Sequence, residues 1–147
     1  MQSTVLTVRT GSHPTVRDLT GDCAGFVAEC TSADADADAA GGADGLLNVF
    51  VPHATAGVAI LETGAGSDDD LLSILEVLLP REHRWQHRHG SPGHGRDHVL
   101  PAFIAPSITV PVLGGQLQLG TWQSVCLIDT NVDNAVREVR LSFLSGA

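Results

Sequence analysis

Residues 107–129 read SITVPVLGGQLQLGTWQSVCLID, and the fold class turns on this stretch. Its two flanks, SITVPVL and QLQLGTWQSVCLID, are rich in apolar and β-branched residues, and Gly114-Gly115 between them suits a tight hairpin turn. The stretch is therefore a strand, a turn and a returning strand. Working outward, VREVRLSFL (136–144) reads as a further strand, and QSTVLTVR (2–9) alternates polar and apolar residues with the period of a half-buried one. LLNVFV (46–51) and GVAILE (57–62) are strongly apolar strand candidates joined through Pro52-His53-Ala54-Thr55-Ala56. Helical segments are fewer. With Thr20 as N-cap, GDCAGFVAEC forms a short helix that turns Phe26, Val27 and Cys30 inward. Ser67 caps a second helix, three aspartates favour its positive end, and Leu71, Leu72, Leu75, Leu78 and Leu79 make its apolar stripe up to Pro80. Pro101 limits a third helical segment, near 98–106, to an early-position proline. Strands outnumber helices without strict alternation. The reading is an α+β chain, one compact domain over 1–147, with a mainly antiparallel sheet or sandwich and two to three short helices.

At 147 residues the chain is long enough to bury one real core. A net charge of -9 argues against nucleic-acid binding, which needs a positive footprint. No run approaches the ~20 apolar residues of a membrane helix, and the first ten residues lack a secretory layout. A cytoplasmic protein is expected. Cys23, Cys30 and Cys126 form no CxxC pair and read as small buried residues. The acidic run around Asp34, Asp36 and Asp38 has the alternate acids of a calcium loop but lacks its glycine and closing glutamate, so it reads as a solvated loop.

The positive charge is concentrated. There is no lysine, and Arg81, Arg84, Arg88 and Arg96 share one short segment with His83, His87, His89, His94 and His98. Within it, His87 and His98 flank the glycine-rich loop HRHGSPGHGRDH, whose backbone can wrap an anion or metal while imidazoles supply nitrogen ligands or proton transfer. The segment 81–97 has no apolar period and reads as a loop near a surface or cleft. His53 sits in a turn of small residues, VPHATAG, that lets a ligand approach closely. Three neutral histidines with an open fourth position hold a catalytic divalent ion in known enzymes, and His53, His87 and His98 are the candidate set. Glu62, at a strand end nine residues after His53, is a candidate acid, base or orienting carboxylate. His87-x-His89 has the spacing of a cupin pair, but the next acid, Asp97, is misplaced for that family. No P-loop, GxSxG or GxGxxG occurs.

Taken together, GLLNVFVPHATAGVAILE, LLP followed by His87, GHGRDH, and VPVLGGQLQLGTWQ occur in the order that resembles the YjbQ family, associated with a secondary thiamine-phosphate synthase activity. The resemblance covers about residues 5 to 144 and implies a compact α+β domain assembled as a homotrimer, with a polar pocket lined by histidines. His53 matches the histidine of the family's HTTAG segment, Glu62 its following glutamate, His87 the histidine after the proline-ended helix, and His98 the histidine closing GNxxAH. Trp122 and Gln123 match the end of LGTWQ. Three positions depart: Ala54 replaces a threonine, His94 replaces the asparagine, and Asp129 is shorter than the family's acid. Arg137 remains of a final basic motif. The implied reaction joins a hydroxymethylpyrimidine pyrophosphate to a thiazole phosphate and expels pyrophosphate. The arginines at 84, 88 and 96, Gln123 and a histidine-held divalent ion, zinc or magnesium, would bind the phosphorylated small molecule and balance its charge.

Overall fold

In the computed structural model, residues 1–33 and 43–146 are described, and the candidate calcium residues Asp34, Asp36 and Asp38 lie outside them. In chain order the strands are β1 (Gln2–Arg9), β2 (Thr15–Asp18), β3 (Gly45–Phe50), β4 (Ala56–Leu61), β5 (Ser107–Leu113), β6 (Gln116–Leu117), β7 (Ser124–Asp129) and β8 (Val136–Ser145). The helices are α1 (Thr20–Ala33), α2 (Ser67–Leu78) and the single turn α3 (His94–Asp97), followed by a 3-10 turn over Leu100–Ala102. Two antiparallel sheets result, one of five strands in the order β1-β8-β3-β5-β6 and one of three in the order β2-β7-β4. The α+β expectation holds.

The near-continuous apolar run of β7 explains how the layers stack, because such a run suits a strand covered on both faces. Val125 and Leu127 face one core with Val58, Val110, Val139, Leu141 and Phe143, which lies between the sheets and under α1. Cys126 and Ile128 face a second core with Leu75, Leu79, Leu100 and Ile104, under α2. On β8 buried residues alternate with more open ones: Arg137, Val139, Leu141 and Phe143 point inward between exposed or half-buried neighbours. Full burial of each such apolar side chain stabilises the fold by ~1.5–3 kcal/mol.

Local chemistry departs from the sequence reading at four places. β3 and β4, successive in sequence, belong to different sheets, so the Pro52–Thr55 connection carries the chain from one layer to the other. QLQLGTWQSVCLID is two strands, interrupted by a turn in which Gln123 Oε1 accepts the Gly120 N–H at 2.8 Å. Ser67 is the first helical residue of α2, behind Gly66 at φ 93, and no side chain caps that helix. Thr20 likewise does not cap α1: Asp18 accepts its N–H at 2.8 Å, while its hydroxyl accepts the Val125 N–H at 2.9 Å and ties the helix to β7. The hairpin expectation is met, with Gly114 and Gly115 at φ 56 and 73. All three cysteines are buried, and burial, followed by Asp22 and Asp18, pushes the Cys23 thiol up to about 12. Among the described residues no helix is long and apolar enough to cross a membrane.

Candidate metal centre

The segment after α2 is pinned at its base before it reaches the histidines. Trp85 donates its indole N–H to the Pro80 carbonyl at 3.0 Å, and Arg81 donates to the Thr130 carbonyl at 3.1 Å. The chain then runs out through the exposed His87, Arg88 and His89 and returns as α3, whose four residues are all buried. Two glycines make the return possible. Gly90 has φ +84, and a Cβ there would stand 2.6 Å from the His94 ring and 2.9 Å from Asp133. A Cβ on Gly95 would stand 2.5 Å from Trp85 and 2.9 Å from the His87 carbonyl oxygen.

Four imidazoles meet as a result. His87, His89, His94 and His98 each offer a nitrogen, and these nitrogens lie within 4.8 Å of one another. The His94 and His98 Nε2 atoms are 3.0 Å apart. Ligands of a tetrahedral zinc with bonds of about 2.0–2.1 Å are separated by about 3.3 Å, so this pair fits such an ion. The wider contacts need one ring to swing inward, and His87 and His89 are exposed and free to do so. Desolvation, then the neighbouring imidazoles, holds His87 and His98 below the ordinary histidine value of 6.5. Their rings are thus biased toward the neutral form that ligates metal.

Behind the cluster lies a polar network. His94 Nδ1 is 2.7 Å from an Asp133 carboxylate oxygen and 3.0 Å from the Asn131 amide nitrogen. Buried Asp97 accepts from the Thr130 hydroxyl at 2.7 Å and from the Asn131 amide at 3.2 Å. The Asp133 carboxyl sits below the usual carboxylate range, chiefly because it accepts the Ser91 backbone N–H.

His89, His94 and His98 of the cluster line a cavity of about 510 Å³ together with His53, Thr55, Asn134 and Arg137. A second cavity of about 460 Å³ opens on its other flank, lined by Arg84, Arg88 and Trp85, and the two share His89, Gly90 and His94.

Of the residues singled out in the sequence, His87 and His98 come together. His53 lines the first cavity with His98 but is not in the group of four, and its Nε2 accepts the Glu138 backbone N–H at 2.8 Å. Arg88 lines the flanking cavity. Arg96 is buried, its guanidinium bonded to Glu76, to the Leu79 carbonyl at 3.1 Å and to Asp97 at 3.4 Å. Gln123 closes its own turn, and Glu62 lines a separate groove between β4 and α2. Arg137 grips Asp129 through two bonds of 2.7 and 2.9 Å, with both side chains buried. His89 and His94 join the cluster, and Asn131 and Asp133 support it. The only sequence signal for the last two is a polar run, DTNVDN, that begins at the last residue of the apolar strand β7.

The family model described as UPF0047 protein YjbQ-like matches residues 4–146. The chain belongs to this family. A UPF0047 protein of Mycobacterium tuberculosis is 58% identical over 146 residues, covering 99% of this chain and 100% of its own. The YjbQ-family protein YugU of Bacillus subtilis is 30% identical over 122 residues, covering 82% and 83%. A crystal structure from Aeropyrum pernix superimposes with a TM-score of 0.84 at 29% identity, over 99% of this chain and 100% of that one.

Proposed function

We propose that this YjbQ-family protein is a cytoplasmic enzyme that binds a phosphorylated small molecule beside a divalent metal, with thiamine-phosphate synthase as its reaction. The carrying observation is the convergence of four imidazole nitrogens within 4.8 Å, three of them from residues that line a cavity shared with His53 and Arg137. An all-imidazole donor set suits zinc, whereas magnesium asks for oxygen ligands, so zinc is the ion proposed. Bound there, zinc would supply Lewis-acid stabilisation of phosphoryl oxygen.

His87 and His98 serve as nitrogen ligands. His53, with Nε2 already accepting a backbone N–H, keeps its proton on Nδ1 and donates to a phosphate oxygen from the strand side. Arg84 and Arg88 balance the charge of the departing pyrophosphate from the flanking cavity. The reading assigns no role within one chain to Arg96 and Gln123, which are engaged in internal hydrogen bonds, or to Glu62, which lines a separate groove. The homotrimer implied by the family resemblance is retained as part of the proposal. The exposed apolar side chains Ile60 and Ile74, on the rim of the groove beside β4, support it.

One observation favours a second reading, a metal-binding module without turnover: four imidazoles fill a tetrahedral shell and leave no open position. Metal analysis of untagged protein, paired with complementation of a thiamine-requiring strain, separates the two. The enzyme reading expects zinc in the wild type, loss of zinc in His98→Ala, and growth supported by the wild type alone. Zinc bound in the same pattern with no growth from the wild type leaves the module. A wild type that binds no metal sinks both.

A further inference from the structure

The hydrogen bonds around His94 specify which of its nitrogens carries a proton. Asn131 Oδ1 accepts the backbone N–H groups of Asp133 at 2.9 Å and Asn134 at 3.1 Å, which fixes the orientation of its amide. The Asn131 NH2 group therefore faces His94 Nδ1 and the buried Asp97 carboxylate. Asp133 Oδ2 stands 2.7 Å from the same Nδ1. A lone pair on Nδ1 would meet a carboxylate oxygen at that distance with no hydrogen between them. A proton on Nδ1 converts the contact into a charge-assisted hydrogen bond, and the Asn131 amide is still served by Asp97. The lone pair is then on Nε2, the atom 3.0 Å from His98 Nε2 and directed into the cluster.

We propose that Asp133 is the positioning residue that makes His94 a nitrogen ligand of the candidate metal centre, by holding its proton on Nδ1 and its Nε2 lone pair toward His98. The proposal rests on the metal reading of the cluster and adds to it a specific support. The contact joins a buried imidazole to a surface carboxylate: the His94 side chain is 7% exposed and that of Asp133 30%. Asp133 Oδ2 also accepts the Ser91 N–H at 3.1 Å, so the same oxygen that orients His94 ties down the loop that carries His87 and His89. Gly90, with no Cβ, leaves room for that closure. A carboxylate behind a ligating histidine fixes its tautomer and raises its basicity, and losing such a partner weakens metal binding by about 10–100-fold.

The test has two arms. In the first, zinc affinity is measured by competition with a chromophoric chelator for wild type, Asp133→Ala, Asp133→Asn and His98→Ala, with circular dichroism melts to confirm folding. Asp133→Ala is expected to bind about 10–100-fold more weakly than wild type. Asp133→Asn keeps an acceptor oxygen without the charge and should fall between the two. In the second arm, nitrogen-15 NMR of the metal-free protein reads the His94 tautomer, which should be Nδ1-protonated in wild type and redistributed in Asp133→Ala. The inference is overturned if Asp133→Ala binds zinc as the wild type does while His98→Ala has lost it. It is equally overturned if His94 carries its proton on Nε2 in the wild type. Should His98→Ala bind as tightly as wild type, the metal reading fails, and the tautomer arm still decides the role of Asp133.

Discussion

The candidate site has two walls of unlike construction. His53 and Arg137 belong to the strand wall, where the β1–β8 and β3–β8 ladders set the backbone and the buried Asp129–Arg137 pair locks β7 to β8. The histidine wall is a loop closed by a few bonds, such as the His94 N–H to the Ser91 carbonyl at 3.0 Å and the Asp133 contacts. The strand wall takes its geometry from the same burial that folds the protein. The loop wall takes its geometry from polar side-chain contacts around the buried turn α3. Substitution on the first should therefore cost stability, and substitution on the second should cost binding.

The largest expected effect breaks the strand wall. Asp129→Ala leaves the Arg137 guanidinium buried without its bidentate partner, and removing one member of a buried pair costs about 3–5 kcal/mol. Urea unfolding followed by circular dichroism measures it. A variant as stable as wild type would mean that the pair does not hold the wall.

A smaller effect, shared by the walls, comes from pH. Desolvation lowers His53, His87 and His98 below the ordinary 6.5, with Arg137 adding to the shift at His53 and the neighbouring imidazoles adding to it at the other two. Between those lowered values and 6.5 the unfolded chain binds more protons than the folded one, so stability must rise with pH there. The contribution is complete above 6.5 and is lost as pH falls through the depressed folded values. Thermal melts of metal-free protein from pH 7.5 to 5 should show a falling midpoint. The His87→Ala/His98→Ala double variant should flatten the slope, leaving the part due to His53. An unchanged slope would assign the pH response to other groups.

The same contrast explains what could be read from the sequence. Strand alternation in residues 2–9 and 136–144 and the Gly114-Gly115 turn reflect burial and local backbone geometry, both of which leave a period or a residue signature in sequence. The two-sided burial of β7 was visible only as an apolar run, and the assignment of β3 and β4 to different sheets was not visible at all, because either pairing buries the same faces. In the site, His87 and His98 were legible as members of a charged cluster. His94, expected in an irregular loop, is buried in a helical turn, and Asp133 reaches it from 39 positions away in sequence. Such convergence depends on where a loop is tied down, and hydrophobic periodicity carries no record of it. Arg96, whose charge suggests a phosphate partner, has internal partners in Glu76 and Asp97 that its sequence neighbourhood does not announce.

His87→Ala should have the smallest effect on stability and yet be decisive for the site. The ring is exposed at the tip of the loop wall, its neighbours being His89 and His98 with ring centroids at 4.0 Å from its own, and no apolar core packs against it. Its removal should leave the urea midpoint where it was, since surface substitutions away from caps, pairs and cores rarely move it. Zinc retention, by contrast, should fall, because the closely spaced nitrogens of His94 and His98 then have only His89 to complete a three-imidazole set. If the midpoint and the zinc content both stay at wild-type values, His89 substitutes fully and the ligand set excludes His87. If the midpoint falls together with the zinc in metal-free preparations, the loop wall supports the fold after all, and the division between the walls fails.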